Sequence, residues 1–371
     1  MRPTLPCALL LTILLSPGLA KAIGAGGVCP TGGQPPVIQP APGEDERPRV
    51  RLVATGGTIS NRAGGRLTAE ELIESVPGLE RHAVAEFEQF ANVASSALTL
   101  AQWTELARRI NVLFSEDAEL AGVVVTSGTD TLEEIAYFLH LTIRSERPVV
   151  VVGSMRNPST PGYEGAANLL AGFRVAADPN SRGKGVLVVL NDEINSAREV
   201  TKADALRLDA FQTRGYGVLG IVDADRVAWY RTVTRRHTSN AEFDLSSVVE
   251  LPRVDVVMVY QGASGDAIKA LVDQGARGIV IAAAGAGAVS GSQGDGIRYA
   301  IEKGVFVVIS TRTGSGRIAA RTRPAGQGEA LAPTFRVAAE DLAPLKARIL
   351  LMLALTKTQD GQEIQRMFLE Y

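Results

Sequence analysis

Thr55-Gly56-Gly57-Thr58-Ile59 follows directly on the apolar run Arg51-Leu52-Val53-Ala54, and Thr126-Ser127-Gly128-Thr129-Asp130-Thr131 follows on Gly122-Val123-Val124-Val125. Each stretch reads as a buried strand that ends in a glycine-rich turn bearing hydroxyls. Near-continuous apolar strands belong to parallel sheets covered on both faces, and ligands bind at the carboxyl edge of such sheets. The two turns are therefore expected to face one pocket.

Outward from these turns, apolar runs at 148–152, 186–190 and 218–222 predict further strands, while 103–114 and 132–141 predict helices. Leu132, Ile135, Ala136 and Leu139 show the i, i+3, i+4, i+7 spacing of a helix face. A second series follows with strands at 254–260, 278–283 and 305–310 and a closing helix over 343–355. The alternation predicts an α/β protein of two domains: a larger N-terminal parallel-sheet domain wound with helices over 49–225, and a smaller C-terminal α/β domain over 254–371. A more polar linker over 226–253, with the basic cluster Arg231, Arg235, Arg236 and His237, separates them. No internal repeat recurs at a fixed period.

The chain has 371 residues, 46% of them hydrophobic, which is enough for a sizeable core in each domain. Its 38 lysines and arginines nearly balance 40 aspartates and glutamates, without long runs of one sign. Neither a nucleic-acid surface nor a polybasic membrane patch is indicated, so the expected partner is a small molecule. Residues 1–22 read as a secretory signal: Arg2, an apolar stretch over 9–15, and the cleavage pattern Ala20-Lys21-Ala22. The expected location is periplasmic or secreted, with an uncleaved anchor as the alternative. No later apolar run reaches the roughly 20 residues of a spanning helix, so no transmembrane helix is expected in the mature chain. Residues 23–48 are rich in glycine and proline and read as a flexible tether. Cys7 leaves with the signal, and Cys29 alone cannot form an intrachain disulfide; a lipidated Cys29 is the minor alternative, poorly matched by Val28.

A threonine hydroxyl is a weak nucleophile until a base takes its proton, and a glycine-rich turn leaves room for substrate beside it. Thr58 fits that position. Thr129 and Asp130 stand in the second turn, and Lys202, in Arg198-Glu199-Val200-Thr201-Lys202, is the candidate base of a Thr-Asp-Lys relay. The same residues also have architectural readings. Thr131 as N-cap with Glu134 three residues on predicts a capping box, Gly56-Gly57 a tight turn, and Lys202 a solvated surface lysine. Gly285-Ala286-Gly287 lacks the third glycine of a dinucleotide fingerprint, and Gly183-Lys184-Gly185 has no following serine or threonine. The three histidines, His82, His140 and His237, lie far apart, and no Cys/His cluster has metal spacing, so neither metal nor cofactor is expected. His140 is expected in the core or at an interface. No Gly-x-Ser-x-Gly elbow is present, which argues against an α/β-hydrolase.

Taken with Pro148-Val149-Val150-Val151-Val152-Gly153-Ser154-Met155-Arg156 and Val188-Val189-Leu190-Asn191-Asp192, the two threonine turns resemble the bacterial-type L-asparaginase and glutaminase-asparaginase family over about 51–371. The resemblance implies a two-domain α/β fold, a homotetramer of intimate dimers, and hydrolysis of asparagine to aspartate and ammonia through a threonine acyl-enzyme. Residue by residue, it implies Thr58 as nucleophile, Thr129, Asp130 and Lys202 as the relay, and Ser95 as a ligand of the substrate α-carboxylate. Ser96 follows at the next binding position, and Asp130 holds the α-amino group by a charge-assisted contact. Backbone N–H groups around Thr58 and Thr129 are implied as oxyanion donors.

The chain departs from the family pattern at three places. The loop tyrosine that assists the nucleophile is missing from 60–68, and Ser96 stands where glutamine or glutamate is usual. The neighbouring-subunit groups expected near 285–288 and 317–323 are alanine and arginine instead of asparagine and glutamate. Two rival readings follow: a hydrolase of an amide without a free α-amino group, and a catalytically silent binding protein for a small amino acid.

Overall fold

The computed structural model describes residues 47–320 and 335–371. The expected signal, the tether as far as residue 46, Cys7, Cys29 and 321–323 lie outside the described residues.

The chain opens with β1 (Arg49–Gly56), a one-turn 3-10 helix (Thr58–Ser60), the ribbon β2 (Asn61–Arg62) and β3 (Gly65–Arg66), and α1 (Ala69–Glu74). It continues through β4 (Val84–Val93), α2 (Leu100–Glu116), β5 (Leu120–Thr126), α3 (Leu132–Thr142), β6 (Val149–Val152), α4 (Gly165–Ala177) and β7 (Val186–Leu190). Next come β8 (Glu193–Ser196), the ribbon β9 (Thr201–Lys202) and β10 (Phe211–Gln212), β11 (Gly220–Val222) and β12 (Val227–Trp229). The second domain comprises β13 (Val254–Met258), α5 (Asp266–Asp273), β14 (Gly278–Ala283), α6 (Gln293–Glu302), β15 (Phe306–Thr311), β16 (Arg336–Ala338), α7 (Pro344–Leu355) and α8 (Gly361–Glu370).

Eight strands form the large sheet in the order β12-β11-β8-β7-β6-β5-β1-β4. Its centre is parallel, with Val53 opposite Val125 and Val125 opposite Val151. The valine runs of β5, β6 and β7 are buried on both faces, which is why they carry no polar alternation. α2 and α3 cover one face and α1 and α4 the other. Thr99 and Gln102 open α2 with a capping box, and its apolar stripe Trp103, Leu106, Ile110 and Leu113 packs inward.

The expected parallel sheet forms the centre, and one end adds an antiparallel meander. β7 turns back into β8 through Asn191 and Asp192, both at positive φ (54° and 61°). Two consecutive left-handed residues form the hairpin turn that asparagine and aspartate accept, so the chain doubles back instead of crossing over. β11 and β12 extend that meander. β4 has no continuous apolar run because it is an edge strand, with Glu86 bound by Arg49 and Arg51 and Glu88 by Arg109.

β13-β14-β15-β16 form a parallel four-stranded sheet. α7 packs on this sheet and also on α3 of the large domain, so one helix serves both cores.

Candidate active site

The chain leaves β1 toward β4 on one side and returns to β5 on the other. Connections therefore diverge between β1 and β5, and a crevice opens at the carboxyl ends of these strands. Thr55 lies at one lip and Thr126 at the other; the Thr55 amide donates to Thr126 Oγ1 at 3.1 Å, and Thr55 Oγ1 donates to the Thr126 carbonyl at 2.6 Å. The two turns that follow touch backbone to backbone. Gly57 has φ 92° and ψ −173°, and a Cβ there would stand 2.2 Å from Gly128 N. A Cβ on Gly128 would in turn stand 2.9 Å from Ser95 Oγ, so three turns converge where only hydrogen atoms fit between them.

Thr58 opens the 3-10 turn and is half-buried, with Ile59 and Ser60 buried behind it. Thr129 is buried, while the Asp130 side chain is 76% exposed at the mouth. Lys202 arrives from the β9–β10 ribbon. Its Nζ donates to Thr129 Oγ1 at 3.0 Å and to Asp130 Oδ1 at 2.8 Å. With its side chain 15% exposed, it is not the solvated surface lysine of the alternative reading. A Thr129 hydroxyl that accepts from Lys202 keeps its own proton to donate onward, the arrangement a proton relay needs. Ser95 is buried beside Gly128 and Ser96 is exposed next to it.

The expected capping box does not form. Thr131 stands at the N-cap of α3 with φ −125° and ψ 17°, and its side chain makes no capping hydrogen bond. Glu134 turns instead toward Arg348 at 3.6 Å, and the buried Glu133 accepts from Thr201 Oγ1 at 3.0 Å and from the Lys202 amide at 3.1 Å. These acidic residues serve tertiary partners because α3 is buried between the large sheet and α7.

Tyr163 was not singled out from sequence. Its hydroxyl donates to the Ile59 carbonyl at 2.9 Å, one residue past Thr58. Burial, with Glu164 beside it, pushes the phenol up to about 12, so it remains a donor. The β2–β3 ribbon is tied to the same segment, with the Ala63 amide donating to Ser159 Oγ at 2.9 Å. An aromatic side chain stands near the Thr58 turn here, approaching from the loop after β6. Its sequence signal, an aromatic in a turn-rich stretch beyond a buried strand, is weak.

Ala286 lies exposed in the turn bridged by Ala284 and Ala288, and the exposed Arg317 pairs with Glu340. His140 is fully buried, as expected of a core histidine. Among the described residues, no cluster of three or more His, Cys, Asp or Glu side chains could hold a metal ion, and no helix is long and apolar enough to cross a membrane.

Known proteins share the sequence pattern and the fold. The family profile described as "Asparaginase, N-terminal" matches residues 49–235, and "Glutaminase/Asparaginase C-terminal domain" matches 253–368. The chain is 42% identical over 339 residues to the L-asparaginase 2 of Bacillus subtilis (strain 168), covering 87% of each chain. It is 38% identical over 335 residues to the glutaminase-asparaginase of Pseudomonas fluorescens biotype A, covering 87% of this chain and 90% of that one. The crystal structure of a probable cytoplasmic L-asparaginase from Campylobacter jejuni superposes with a TM-score of 0.78 at 40% identity, over 88% of this chain and all of the other. With both domains matched and the two-sheet architecture shared, the chain belongs to the asparaginase family of amide-bond hydrolases.

Proposed function

We propose that the protein hydrolyses the side-chain amide of asparagine to aspartate and ammonia through an acyl-enzyme on Thr58. The observation that carries this reading is the Lys202 ammonium set against Thr129 Oγ1 and Asp130, in a turn that touches the turn of Thr58. In the first half-reaction the Thr58 Oγ–H bond breaks as Oγ bonds to the amide carbon. The Thr58 proton passes through the Thr129-Lys202 pair to the amide nitrogen, the C–N bond breaks, and ammonia leaves. Water then attacks the threonine ester, aspartate departs, and Thr58 regains its proton. Asp130 faces the substrate α-ammonium, with Ser96 at the neighbouring position that grips the same group in the family, and Ser95 faces the α-carboxylate. Backbone N–H groups of the two touching turns stabilise the oxyanion. No cofactor takes part.

The division at 226–253, the homotetramer and a periplasmic or secreted location belong to the same reading. Export rests on the pattern at 1–22. Alanine at 286 and arginine at 317 support a second reading, a substrate whose α-amino group is blocked. Ammonia release from asparagine, glutamine and an N-blocked asparagine, measured beside Thr58→Ala and Lys202→Met, separates the readings. Turnover of asparagine lost in Thr58→Ala is the expected result. Faster turnover of the blocked derivative selects the second reading. Thermal stabilisation by asparagine without ammonia release from any of the three would identify a silent binding protein.

A further inference from the structure

Lys346 stands within α7 of the C-terminal domain, 1% exposed, and the chemistry above makes no use of it. Its ammonium crosses into the large domain and donates to the Arg198 carbonyl at 3.0 Å and to the Val200 carbonyl. Both carbonyls belong to the turn after β8, in which the amides of Glu199 and Val200 return to Ser196. Two residues later the chain reaches Lys202.

Other buried groups hold the same segment. Glu133 accepts from Thr201 Oγ1 and from the Lys202 amide, and the Arg198 guanidinium forks onto Asp341 at 2.9 and 2.8 Å while its Nε donates to the Tyr371 carbonyl at 2.7 Å. Within Arg198–Lys202 only Val200 packs in the apolar core, and a cavity of about 280 Å³ borders the segment, lined in part by Thr201, Tyr216, Gly314 and Asp341. Hydrogen bonds therefore set where the segment stands. Burial pushes the Lys346 ammonium down to about 8, opposed by the charge of Glu133, and an aliphatic side chain would fill α7 without that penalty.

We propose that Lys346 and Glu133 are positioning residues for the reaction: together they clamp the Arg198–Lys202 segment from the C-terminal domain and from α3, and so hold the Lys202 ammonium against Thr129 and Asp130. The proposal rests on the proton-transfer role given to Lys202 above.

The test uses the full chain with Lys346→Met. Ammonia release gives kcat and KM for asparagine, and the rate of Lys202 acetylation by trace acetic anhydride, read by peptide mass spectrometry, follows the lysine without reference to activity. The expected result is a kcat lower by about a hundredfold, the cost of misplacing a group by roughly 1 Å, with KM nearly constant and Lys202 acetylated several-fold faster. Unchanged kcat and acetylation, with only thermal stability lost, would overturn the clamp. Should Lys346→Met not fold, Glu133→Ala carries the test. It is expected to reproduce both changes, and Glu133→Gln, which keeps an oxygen for both hydrogen bonds, to recover most of the loss; Glu133→Ala behaving as wild type overturns the proposal. If the wild-type chain releases no ammonia, the role of Lys202 fails, and the acetylation rates still decide the clamp.

Discussion

Gly57→Ala isolates the contact between the two site turns. The residue has φ 92° and ψ −173°, a region open essentially to glycine alone, and any other side chain there costs of order 1–3 kcal/mol. A methyl group at this position would also stand 2.2 Å from Gly128 N and 2.5 Å from Gly128 Cα, where ordinary contact begins at 3.4 Å. Both neighbours are backbone atoms and cannot rotate away. The turns must therefore separate by about 1.2 Å, the difference between the two distances, which moves Thr58 relative to Thr129. A displacement of roughly 1 Å at reacting groups costs on the order of a hundredfold in rate. Gly275→Ala is the control for a side chain at positive φ without a clash: Gly275 has φ +91° with nothing within 4 Å of the added Cβ. Urea denaturation should show both variants destabilised, Gly57→Ala the more. A coupled ammonia assay should show kcat/KM reduced about a hundredfold in Gly57→Ala alone. Gly57→Ala retaining activity within a few-fold of Gly275→Ala would refute the view that contact between these turns sets the site.

Three further outcomes are expected. Burial first, then His237 and Arg198 nearby, hold the His140 imidazole well below its usual range, and burial lowers that of His237. Each ring is harder to protonate when folded, whereas the unfolded chain takes up protons near the ordinary 6.5, so this contribution to stability is level above that pH and falls as pH drops through it. Differential scanning calorimetry should show this decline made shallower by His140→Asn, whose Oδ1 can take the Val186 amide now bound to His140 Nδ1; a Tm constant from roughly pH 7 to 5 would contradict it. Burial opposes ionisation of Asp341, yet the Arg198 guanidinium and the Tyr216 hydroxyl outweigh it and hold the carboxyl well below its usual range. Arg198→Met leaves that carboxylate only the Tyr216 hydroxyl and Arg235 at 3.7 Å and should lower unfolding stability by about 1.5–3 kcal/mol, checked by denaturant titration against Arg198→Met with Asp341→Leu, which should recover part of the loss. Tyr163→Phe removes the hydroxyl bound to the Ile59 carbonyl; a loss of about 1 kcal/mol is expected, and unaltered urea unfolding would show that the bond contributes nothing.

The sequence by itself determined the α/β class, the strands at 186–190 and 278–283, and the helical character of 103–114 and 132–141, because buried parallel strands and one-sided helices leave periodic apolar patterns in the chain. It also showed that the hydroxyl-bearing turns follow buried strands, hence stand at one edge of a sheet. It did not show that β8, β11 and β12 run antiparallel, which depends on two left-handed residues at 191–192, nor β4, whose edge position removes the need for an apolar run. Glu134 read as half of a capping box because it follows Thr131 by three residues, and only the tertiary approach of Arg348 gave its carboxylate another partner. Lys346 lies among the aliphatic residues of α7 and carries no local signal; its burial, and the two carbonyls it satisfies, exist only because that helix crosses to α3. Periodicity records whether a side chain faces a core. Which polar atoms meet inside that core is set by elements far apart in sequence, and here only the tertiary structure brought 58, 95, 129, 163, 202 and 346 into one neighbourhood of hydrogen bonds and touching turns.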